Sequence, residues 1–407
     1  MRLLHDLVNS FIVNGKLRVY NVSGTLQEYG TGENGPTVTV RLHDKALYRK
    51  LFLNPELSVA EAYMDGTLTV EDGSEIYDLL TLFSVNRKPL GGSSLHRTLR
   101  RKWRQLRLRH QRNDVESAKR NARSHYDLST DLYRLFLDSD LSYSCAYFRS
   151  PDDDLEKAQS NKLTHAVSKL GLEPGMRVLE IGSGWGAFAI RIAQAGANVV
   201  SLNVSNEQLT VARQRAEELG VADRIDFVLK DYREYEGEFD RVVSVGMMEH
   251  VGVNFYDAFF GKVRDLLTPD GYAYIHSIGR MSPPGTTGPF LRKYIFPGGY
   301  SPALSEVFAS TERTGLWVAD MEVLRLHYHY TIRHWRKRFA ENREKAAELY
   351  DERFCRMWEF YLGAVELDFR DGASMVFQIL LSKSRDAVPI TRDFMFDAER
   401  ADPFFQP

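Results

Sequence analysis

The chain has 407 residues, a formal net charge of −2, 43% hydrophobic residues and 27% charged residues, the composition of a folded protein large enough for two domains. This composition excludes wholesale disorder, and the balanced charge excludes a polycation built to bind nucleic acid. No apolar run approaches the roughly 20 residues of a membrane-spanning helix, and the N-terminus lacks the cleavage site of a secretory signal, so we expect a cytoplasmic protein.

The first 92 residues combine helical and strand-like patterns. Apolar residues between Leu3 and Ile12 recur at helical spacing and predict an amphipathic first helix. The sequence TVTVRL at 37–42 alternates as a strand does. Glycine and serine at 91–94 then predict a flexible break. We therefore interpret residues 1–92 as a smaller α+β domain.

The segment 93–123 is interpreted as a basic linker helix. Residues 97–123 contain eleven Lys or Arg against Asp114 and Glu116. One side of a helix drawn through the segment carries an apolar stripe, formed by Leu95, Leu99, Trp103 and Leu106. A basic helix with such a stripe is typical of helices that lie on anionic lipid. A solvated linker that docks on its own protein has the same pattern, whereas a nucleic-acid arm would lack a partner motif in the rest of the chain.

Strand-like and helix-like segments alternate from residue 124 to about residue 385. The strand-like segments are 177–181, 198–204, 225–229, 241–245 and 271–278. The helix-like segments are 185–195 and 208–219, and Ser205 three residues before Gln208 predicts a capping box for the second of them. This alternation predicts a mostly parallel sheet with helices on both faces, within a second domain over 124–407.

A glycine-rich loop follows the first of these strands and reads Glu180-Ile-Gly182-Ser-Gly184-Trp-Gly186. In an open α/β sheet, ligands bind beyond the carboxyl ends of the strands, where glycine permits close backbone approach. Dinucleotide folds space these glycines as G-x-G-x-x-G. The spacing here, with an acid two residues earlier, is the pattern of S-adenosylmethionine-dependent methyltransferases. We therefore expect the loop, including Ser183, to bind S-adenosylmethionine and Glu180 to organise its methionine ammonium group.

The ends of the next two strands supply further predicted cofactor contacts. Asn203 stands where a carboxylate often binds the ribose hydroxyls, and an amide can both donate to and accept from hydroxyls. Gln208 is close enough in sequence to assist. Asp231, with Tyr232 beside it, is expected to bind the adenine amino group. A nicotinamide dinucleotide and an ordinary tight turn are the alternatives for the loop.

Longer motifs extend across roughly 120–385. They occur at His125–Tyr133, Leu141–Phe148, Val243–Gly252, Lys293–Tyr300, Arg333–Phe339 and Met357–Leu362. In this order they resemble the cyclopropane-fatty-acyl-phospholipid synthase family. Ala60–Gly66 also matches, which favours the long two-domain bacterial type over the shorter mycolate-modifying relatives. Ser183 departs from the family pattern, which commonly has cysteine there, but both residues are small.

The resemblance implies an α/β fold with a Rossmann-like class I methyltransferase domain, a mostly parallel seven-stranded sheet and a smaller α+β N-terminal domain. It implies transfer of a methyl(ene) group from S-adenosylmethionine to the cis double bond of an unsaturated acyl chain in membrane phospholipid, giving a cyclopropane fatty acid through a carbocation. It also implies a homodimer, and it adds Tyr143 and Ser144 to the expected cofactor contacts. Members that form methyl-branched or methylene products instead of a ring resemble the chain nearly as well.

The resemblance further implies a bound bicarbonate that accepts the proton lost from the carbocation. The matching positions are Cys145, Glu249, His276, Tyr328 and the backbone of Ile278. A histidine, a tyrosine hydroxyl and a backbone N–H can all donate to an oxyanion. Because a carboxylate beside an anion must share a proton with it, Glu249 is expected to accept from the bicarbonate hydroxyl.

Other interpretations of these residues remain open. Cys145 can be a small buried hydrophobe and Glu249 a helix cap, and His250 and Cys355 are interpreted as structural. The two cysteines form no C-x-x-C pair, and Cys145, Glu249 and His276 lack ligand pairs at helical spacing, so no metal is expected.

A carbocation must be kept from water and is stabilised by aromatic faces. The candidates for such a wall are Tyr126, Tyr147, Tyr274, Tyr294, Phe296, Tyr328 and Tyr361. Residues 280–310 and the predicted helices at 334–370 are expected to form the acyl slot. We expect an enzyme at the inner face of the membrane, held there by residues 1–92 and 93–123, with no nucleic-acid partner. A lipid-binding relative without catalysis is the alternative from another functional class.

Overall fold

The computed structural model describes residues 2–87 and 128–404. They form two compact units: one contains 2–87, 287–297 and 335–373, and the other contains 128–286, 298–334 and 374–404. The first unit thus includes two segments from the stretch interpreted as a single domain over 124–407, so the units cut across that boundary. The predicted basic linker at 93–123 lies outside the described residues.

The N-terminal part of the first unit contains four helices and a four-stranded sheet. The helices are α1 (Arg2–Phe11), α2 (Leu47–Leu53), α3 (Pro55–Met64) and α4 (Ile76–Val85). The strands are β1 (Lys16–Tyr20), β2 (Leu26–Tyr29), β3 (Thr37–Leu42) and β4 (Leu68–Glu71), in the order β2-β1-β3-β4. The predicted first helix and the strand at 37–42 are therefore confirmed. In β3 the alternate residues Val38, Val40 and Leu42 are buried.

A seven-stranded sheet forms the centre of the second unit, as the fold prediction requires. Its strands are β5 (Arg177–Ile181), β6 (Asn198–Asn203), β7 (Ile225–Leu229), β8 (Phe239–Val245), β9 (Leu267–Arg280), β10 (Trp317–Leu324) and β11 (Ser374–Ser382). The order is β10-β11-β9-β8-β5-β6-β7. Neighbours among β5 to β9 pair in parallel, whereas β11 is antiparallel to both β9 and β10. Strands β5 to β9 were predicted from the sequence, whereas β10 and β11 were not.

Ten further helices follow in the described part of the chain after residue 128. They are α5 (Thr130–Arg134), α6 (Leu155–Ser168), α7 (Ala187–Gln194), α8 (Asn206–Glu218), α9 (Tyr256–Leu266), α10 (Leu304–Thr314), α11 (His327–Glu341), α12 (Arg343–Leu349), α13 (Glu352–Asp371) and α14 (Asp393–Ala401). Short 3₁₀ turns occur at Ala222–Arg224, Tyr232–Glu234, Met248–His250 and Val253–Phe255, and a π-helical turn occurs at Leu291–Ile295.

Two apolar clusters cover the two faces of the large sheet. Val178 of β5 belongs to one cluster with residues of α6, α7 and α8, whereas Leu179 belongs to the other with residues of α9 and α10. Because successive strand side chains point to opposite faces, the clusters lie on opposite sides of the sheet. Because apolar side chains cover both faces of the sheet, polar side chains can collect beyond the carboxyl ends of its parallel strands.

Candidate active site

The predicted glycine loop connects β5 to α7. Gly182, Gly184 and Gly186 all have a positive φ, at 93°, 50° and 85°. The backbone N–H groups of Gly182 and Ser183 both donate to the carbonyl of Leu202, at 3.0 Å each. The loop is therefore fixed to the end of β6, and its glycines allow the backbone to turn there.

Replacing Gly186 by alanine should destabilise the second unit by about 1–3 kcal/mol. The added Cβ would lie 2.9 Å from Cβ of Ala212, at a residue that also has a left-handed backbone. Gly184→Ala is the matched control, because its φ is also positive but nothing lies within 4 Å of the added Cβ. Thermal unfolding should give a lower midpoint for Gly186→Ala than for Gly184→Ala. Equal midpoints would contradict this assignment of strain.

A cavity beyond the carboxyl ends of β5, β6 and β7 is lined by ten of the eleven predicted cofactor residues. They are Tyr143, Ser144, Glu180, Gly182, Ser183, Gly184, Asn203, Gln208, Asp231 and Tyr232. The eleventh, Gly186, lies against Ala212 and shapes the loop. The cavity thus joins residues from the ends of three neighbouring strands with residues that precede α6.

Several residues in the cavity lining were not predicted. The lining includes Lys162, Trp185, Lys230, Arg233 and Met247, and also His250, which the sequence analysis interpreted as structural. Lys162 is buried on α6, and its Nζ donates to Oγ of Ser144 at 3.3 Å. Burial lowers the pKa of Lys162, while Asp138 and Asp140 act to raise it.

Glu180 is 2% exposed and faces this cavity. Its Oε2 accepts a hydrogen bond from Oγ of Ser201 at 2.5 Å. Burial raises the pKa of Glu180 to about 7, against the opposing effects of Ser201 and Lys162. A cationic ligand group would favour the ionised form of this carboxyl.

The amide of Asn203 holds the loop to the start of α8. Its Nδ2 donates to Oγ of Ser183 at 2.9 Å and to Oε1 of Gln208 at 3.0 Å. Its Oδ1 accepts from the N–H groups of Val204 and Ser205. Only one of the two hydrogen bonds of the predicted capping box is present. The Ser205 hydroxyl accepts from the backbone N–H of Gln208, but the Gln208 side chain accepts from Asn203 instead of the Ser205 backbone. The ribose role of Asn203 stays a prediction, because its bonds are used within the protein.

Asp231 is buried at the cavity with its charge already paired. It accepts from Nε of Arg233 at 2.9 Å and from Nη2 at 2.6 Å. Burial raises the pKa of the neighbouring Tyr232 to about 12, so this phenol is neutral at physiological pH. The adenine contact of Asp231 also stays a prediction.

Glu249 and Ile278 of the predicted anion site contact each other. Glu249 lies in the 3₁₀ turn after β8, and its Oε1 accepts from the N–H of Ile278 at 2.6 Å. The Ile278 N–H therefore already donates to a protein carboxylate. No residue in the described ranges donates to the buried Oε2 of Glu249. Burial raises the pKa of Glu249 to about 7.

His276 lies on β9, opposite Val245 of β8, which lines the cavity. It is 3% exposed, and burial lowers its pKa to about 3, so the imidazole is neutral at pH 7. Its Nδ1 lies 3.3 Å from Nε2 of Gln378 and 3.4 Å from the hydroxyl of Tyr274.

The other two predicted anion-site residues belong to adjoining segments. Cys145 is 1% exposed, and burial raises the pKa of its thiol far above the ordinary range. The N–H of the next residue, Ala146, donates to Oγ1 of Thr331 on α11 at 3.0 Å. Tyr328 is buried three residues earlier on the same helix. The segment that carries Cys145 thus packs on the first turns of α11.

The predicted aromatic candidates are distributed over the molecule. Tyr274 lines the cavity, and Tyr147 stacks on His165 and His327 with ring centroids 4.1 and 4.9 Å apart. Tyr294, Phe296 and Tyr361 belong to the first unit, and Tyr126 lies outside the described residues.

No group of three or more His, Cys, Asp or Glu in the described ranges is arranged to hold a metal ion. None of the helices in residues 2–87 and 128–404 combines the length and apolar character needed to cross a bilayer.

The sheet is mostly parallel, a glycine loop follows the central one of its five parallel strands, an acid lies at the end of that strand, and a cavity lies beyond the strand ends. Together these features define a class I S-adenosylmethionine-dependent methyltransferase. Residues 113–379 match the family model described as mycolic acid cyclopropane synthetase, and the chain belongs to this family. Residues 4–90 match a domain of unknown function, DUF7884.

Three similar proteins place the chain within the family. A tuberculostearic acid methyltransferase of Mycobacterium tuberculosis is 37% identical over 82% of this chain and 80% of its own length. The cyclopropane-fatty-acyl-phospholipid synthase of Escherichia coli K12 is 34% identical over 88% and 91%. The crystal structure of a mycolic acid cyclopropane synthase with S-adenosylhomocysteine is 33% identical, covers 65% of this chain and 97% of its own, and has a TM-score of 0.61.

Proposed function

We propose that this enzyme transfers a methyl(ene) group from S-adenosylmethionine to the cis double bond of an unsaturated acyl chain in membrane phospholipid, giving a cyclopropane fatty acid. The buried Glu249, hydrogen-bonded to Ile278 two residues after His276 on β9, carries the proposal, and the similarity to the Escherichia coli synthase supports it.

In the proposed reaction, the π electrons of the alkene form a new C–C bond to the methyl carbon. The C–S bond breaks and leaves S-adenosylhomocysteine, and the positive charge moves to the acyl chain. Loss of one proton from the new methyl group then closes the ring.

The cavity side chains are suited to the two charges of the cofactor's methionine moiety. We assign the ammonium group to Glu180, whose carboxylate a cation would stabilise. We assign the carboxylate to Lys162, because an ammonium has three donors and Ser144 is its one hydrogen-bond partner in the described part of the chain. The other cofactor assignments are the nine remaining predicted cavity residues and Gly186.

We assign bicarbonate to Cys145, Glu249, His276, Tyr328 and the backbone of Ile278, whose N–H it would share with Oε1 of Glu249. When bound, it would accept the proton that the carbocation loses. The fit rests on Oε2 of Glu249, a buried acceptor to which no described residue donates. A carboxyl with a pKa of about 7 can share a proton with an anion beside it.

Burial also keeps the Cys145 thiol from competing as a nucleophile. A thiolate attacks electrophilic carbon far better than a thiol does. Because burial raises the pKa of Cys145, this residue remains a thiol in the proposed anion site. Among the aromatic candidates, Tyr274 is buried at the cavity, and its ring is therefore the one best placed to stabilise the carbocation.

Expression in a host that lacks cyclopropane lipids tests the product. NMR of the purified fatty acids should show ring protons far upfield of the alkene protons, and their formation should be about 10²–10⁴-fold lower in cells that produce Glu249→Gln. Absence of any modified acyl chain from cells with folded wild-type enzyme would overturn the proposal.

A methyl-branched or methylene product is the second candidate. It is favoured by the higher identity, 37%, to the tuberculostearic acid methyltransferase. Mass alone does not separate a ring from a methylene group, because both add CH₂. The same NMR spectrum does, since methylene protons resonate in the alkene region.

The acyl slot is proposed to involve residues 280–310 and 334–370. Within the first unit, Phe290 packs edge-on against Phe360 with centroids 4.9 Å apart, and Phe296 packs similarly against Tyr361 at 5.8 Å. This aromatic cluster on α13 supports an apolar environment for that segment.

We also propose a homodimer, which light scattering of the purified enzyme will test.

We further propose that the enzyme works at the inner face of the membrane through residues 1–92 and 93–123. Replacing Arg100, Arg101 and Arg104 by glutamate should weaken binding to anionic vesicles by at least about 100-fold, because each basic residue near the surface contributes about 1 kcal/mol and glutamate adds repulsion. Vesicle co-sedimentation measures this, with neutral vesicles as the control. Undiminished binding of the triple variant to anionic vesicles would reject the interfacial role.

A further inference from the structure

A row of polar side chains crosses the large sheet. Glu322 of β10 is paired in register with Gln378 of β11, and Gln378 is paired with His276 of β9. Residues directly opposite each other on neighbouring strands project from the same face of a sheet. Gln378 and His276 are both buried, so this row lies within an otherwise apolar face and its hydrogen bonds must be satisfied internally.

Lys169, which follows α6, sets the orientation of the central amide. Its Nζ donates to Oε1 of Gln378 at 2.6 Å and also contacts Oε2 of Glu322. Glu322 contacts Nε2 of His165 at 2.7 Å as well. An ammonium group has donors and no acceptor. The oxygen of Gln378 must therefore face Lys169, and its NH₂ group must face the other neighbour in the row.

That neighbour is Nδ1 of His276, at 3.3 Å from Nε2 of Gln378. An amide NH₂ group only donates, so Nδ1 must be the acceptor. The Tyr274 hydroxyl, 3.4 Å away, can donate to the same nitrogen. Because the imidazole is neutral at pH 7, its single proton resides on Nε2.

We infer that Gln378, oriented by Lys169, is a positioning residue that fixes His276 as an Nε2–H donor toward the bound anion. This inference rests on the proposed function, which assigns the anion to His276. The opposite tautomer would present a lone pair to the anion and a basic nitrogen to the methyl donor. Histidine orientation by a neighbouring group is a recognised determinant of its role.

The test replaces Gln378 by glutamate in the full-length enzyme. Glutamate keeps the size of the side chain and its contact with Lys169, but its oxygens only accept, so the proton should move to Nδ1. Nitrogen-15 NMR of histidine-labelled protein at pH 7 reports the tautomer directly, with the His276 signals assigned by their loss in His276→Gln. We expect wild type to be protonated at Nε2, Gln378→Glu at Nδ1, and Lys169→Met to show a mixture. Lys169→Arg should restore the wild-type spectrum.

Activity provides the second measurement. Gln378→Glu should lower kcat about 100-fold or more, since a catalytic histidine held in the wrong tautomer loses up to about 10⁴-fold, while KM for S-adenosylmethionine stays unchanged. If Gln378→Glu does not fold, Gln378→Met takes its place in the kinetic measurement, because methionine also lacks the N–H donor. A wild-type His276 protonated at Nδ1, or one tautomer common to wild type and Gln378→Glu, would overturn the inference. If the tautomer shifts as expected but wild type makes no modified lipid, the proposed function fails, and only the control of the His276 tautomer by Gln378 stands.

Discussion

Replacing Glu249 by glutamine should lower product formation about 10²–10⁴-fold and make the enzyme more stable above pH 7. The activity loss follows because glutamine keeps an oxygen for the Ile278 N–H, which Glu249 accepts at 2.6 Å, but has no carboxylate to share a proton. Lipid analysis by NMR measures the first effect. Glu249→Asp is the control for charge, since it keeps the carboxylate and withdraws it from Ile278.

The stability effect has a defined sign. The pKa of Glu249 rises from 4.5 in a solvated chain to about 7 in the folded enzyme because of burial. Between these values the folded protein holds a proton that the unfolded chain has lost, so wild-type stability falls as pH rises from about 4.5 to 7 and then levels off. The loss is at most about 3 kcal/mol, and glutamine does not incur it. Urea unfolding should therefore show a gap between variant and wild type that widens from pH 5 to pH 8. Parallel curves would contradict the assignment.

Replacing Glu180 by glutamine should weaken S-adenosylmethionine binding about 10–100-fold at pH 8, because a hydrogen bond to a charged group contributes about 1.5–3 kcal/mol. The variant should also lose the pH dependence of binding. The pKa of Glu180 is about 7 in the free enzyme because of burial, and a bound cation favours ionisation. Wild-type affinity should therefore fall by up to about tenfold for each pH unit below 7.

Calorimetric titration at pH 6 and pH 8 measures both effects. Ser201→Ala is the matched control, because it removes the hydrogen bond that Ser201 donates to Glu180 and should move the onset of weakening to higher pH. If the S-adenosylmethionine affinity of Glu180→Gln falls with decreasing pH as steeply as that of wild type, another group causes the pH dependence.

The cofactor site was predictable because its central element is continuous in sequence. From Glu180 to Gly186, the spacing itself encodes a turn at the end of a strand, and the structure places ten predicted residues around one cavity. Lys162 was missed because its companions Asp138 and Asp140 come from a separate segment. The role of Gln378 depends on its register with His276, which no local pattern encodes.

The missed strands have a similar explanation. The run SMVFQILLS of β11 is buried almost throughout, and periodicity alone does not separate such a run from a buried helix. The edge strand β10 has exposed Trp317 and Val318, so its sequence lacks the alternation of a half-buried strand. The boundaries at 92 and 124 rest on composition, whereas the first unit also takes in 287–297 and 335–373 through packing between distant segments.

The burial of the two cysteines gives each unit its own chemical probe. Cys145 lies in the second unit and is 1% exposed, and Cys355 lies in the first and is 0% exposed. A maleimide added to the native enzyme should therefore modify neither, and each site should react only as its surroundings open. Peptide mapping of a timed labelling reaction would then show which unit loosens first in denaturant, with no engineered reporter.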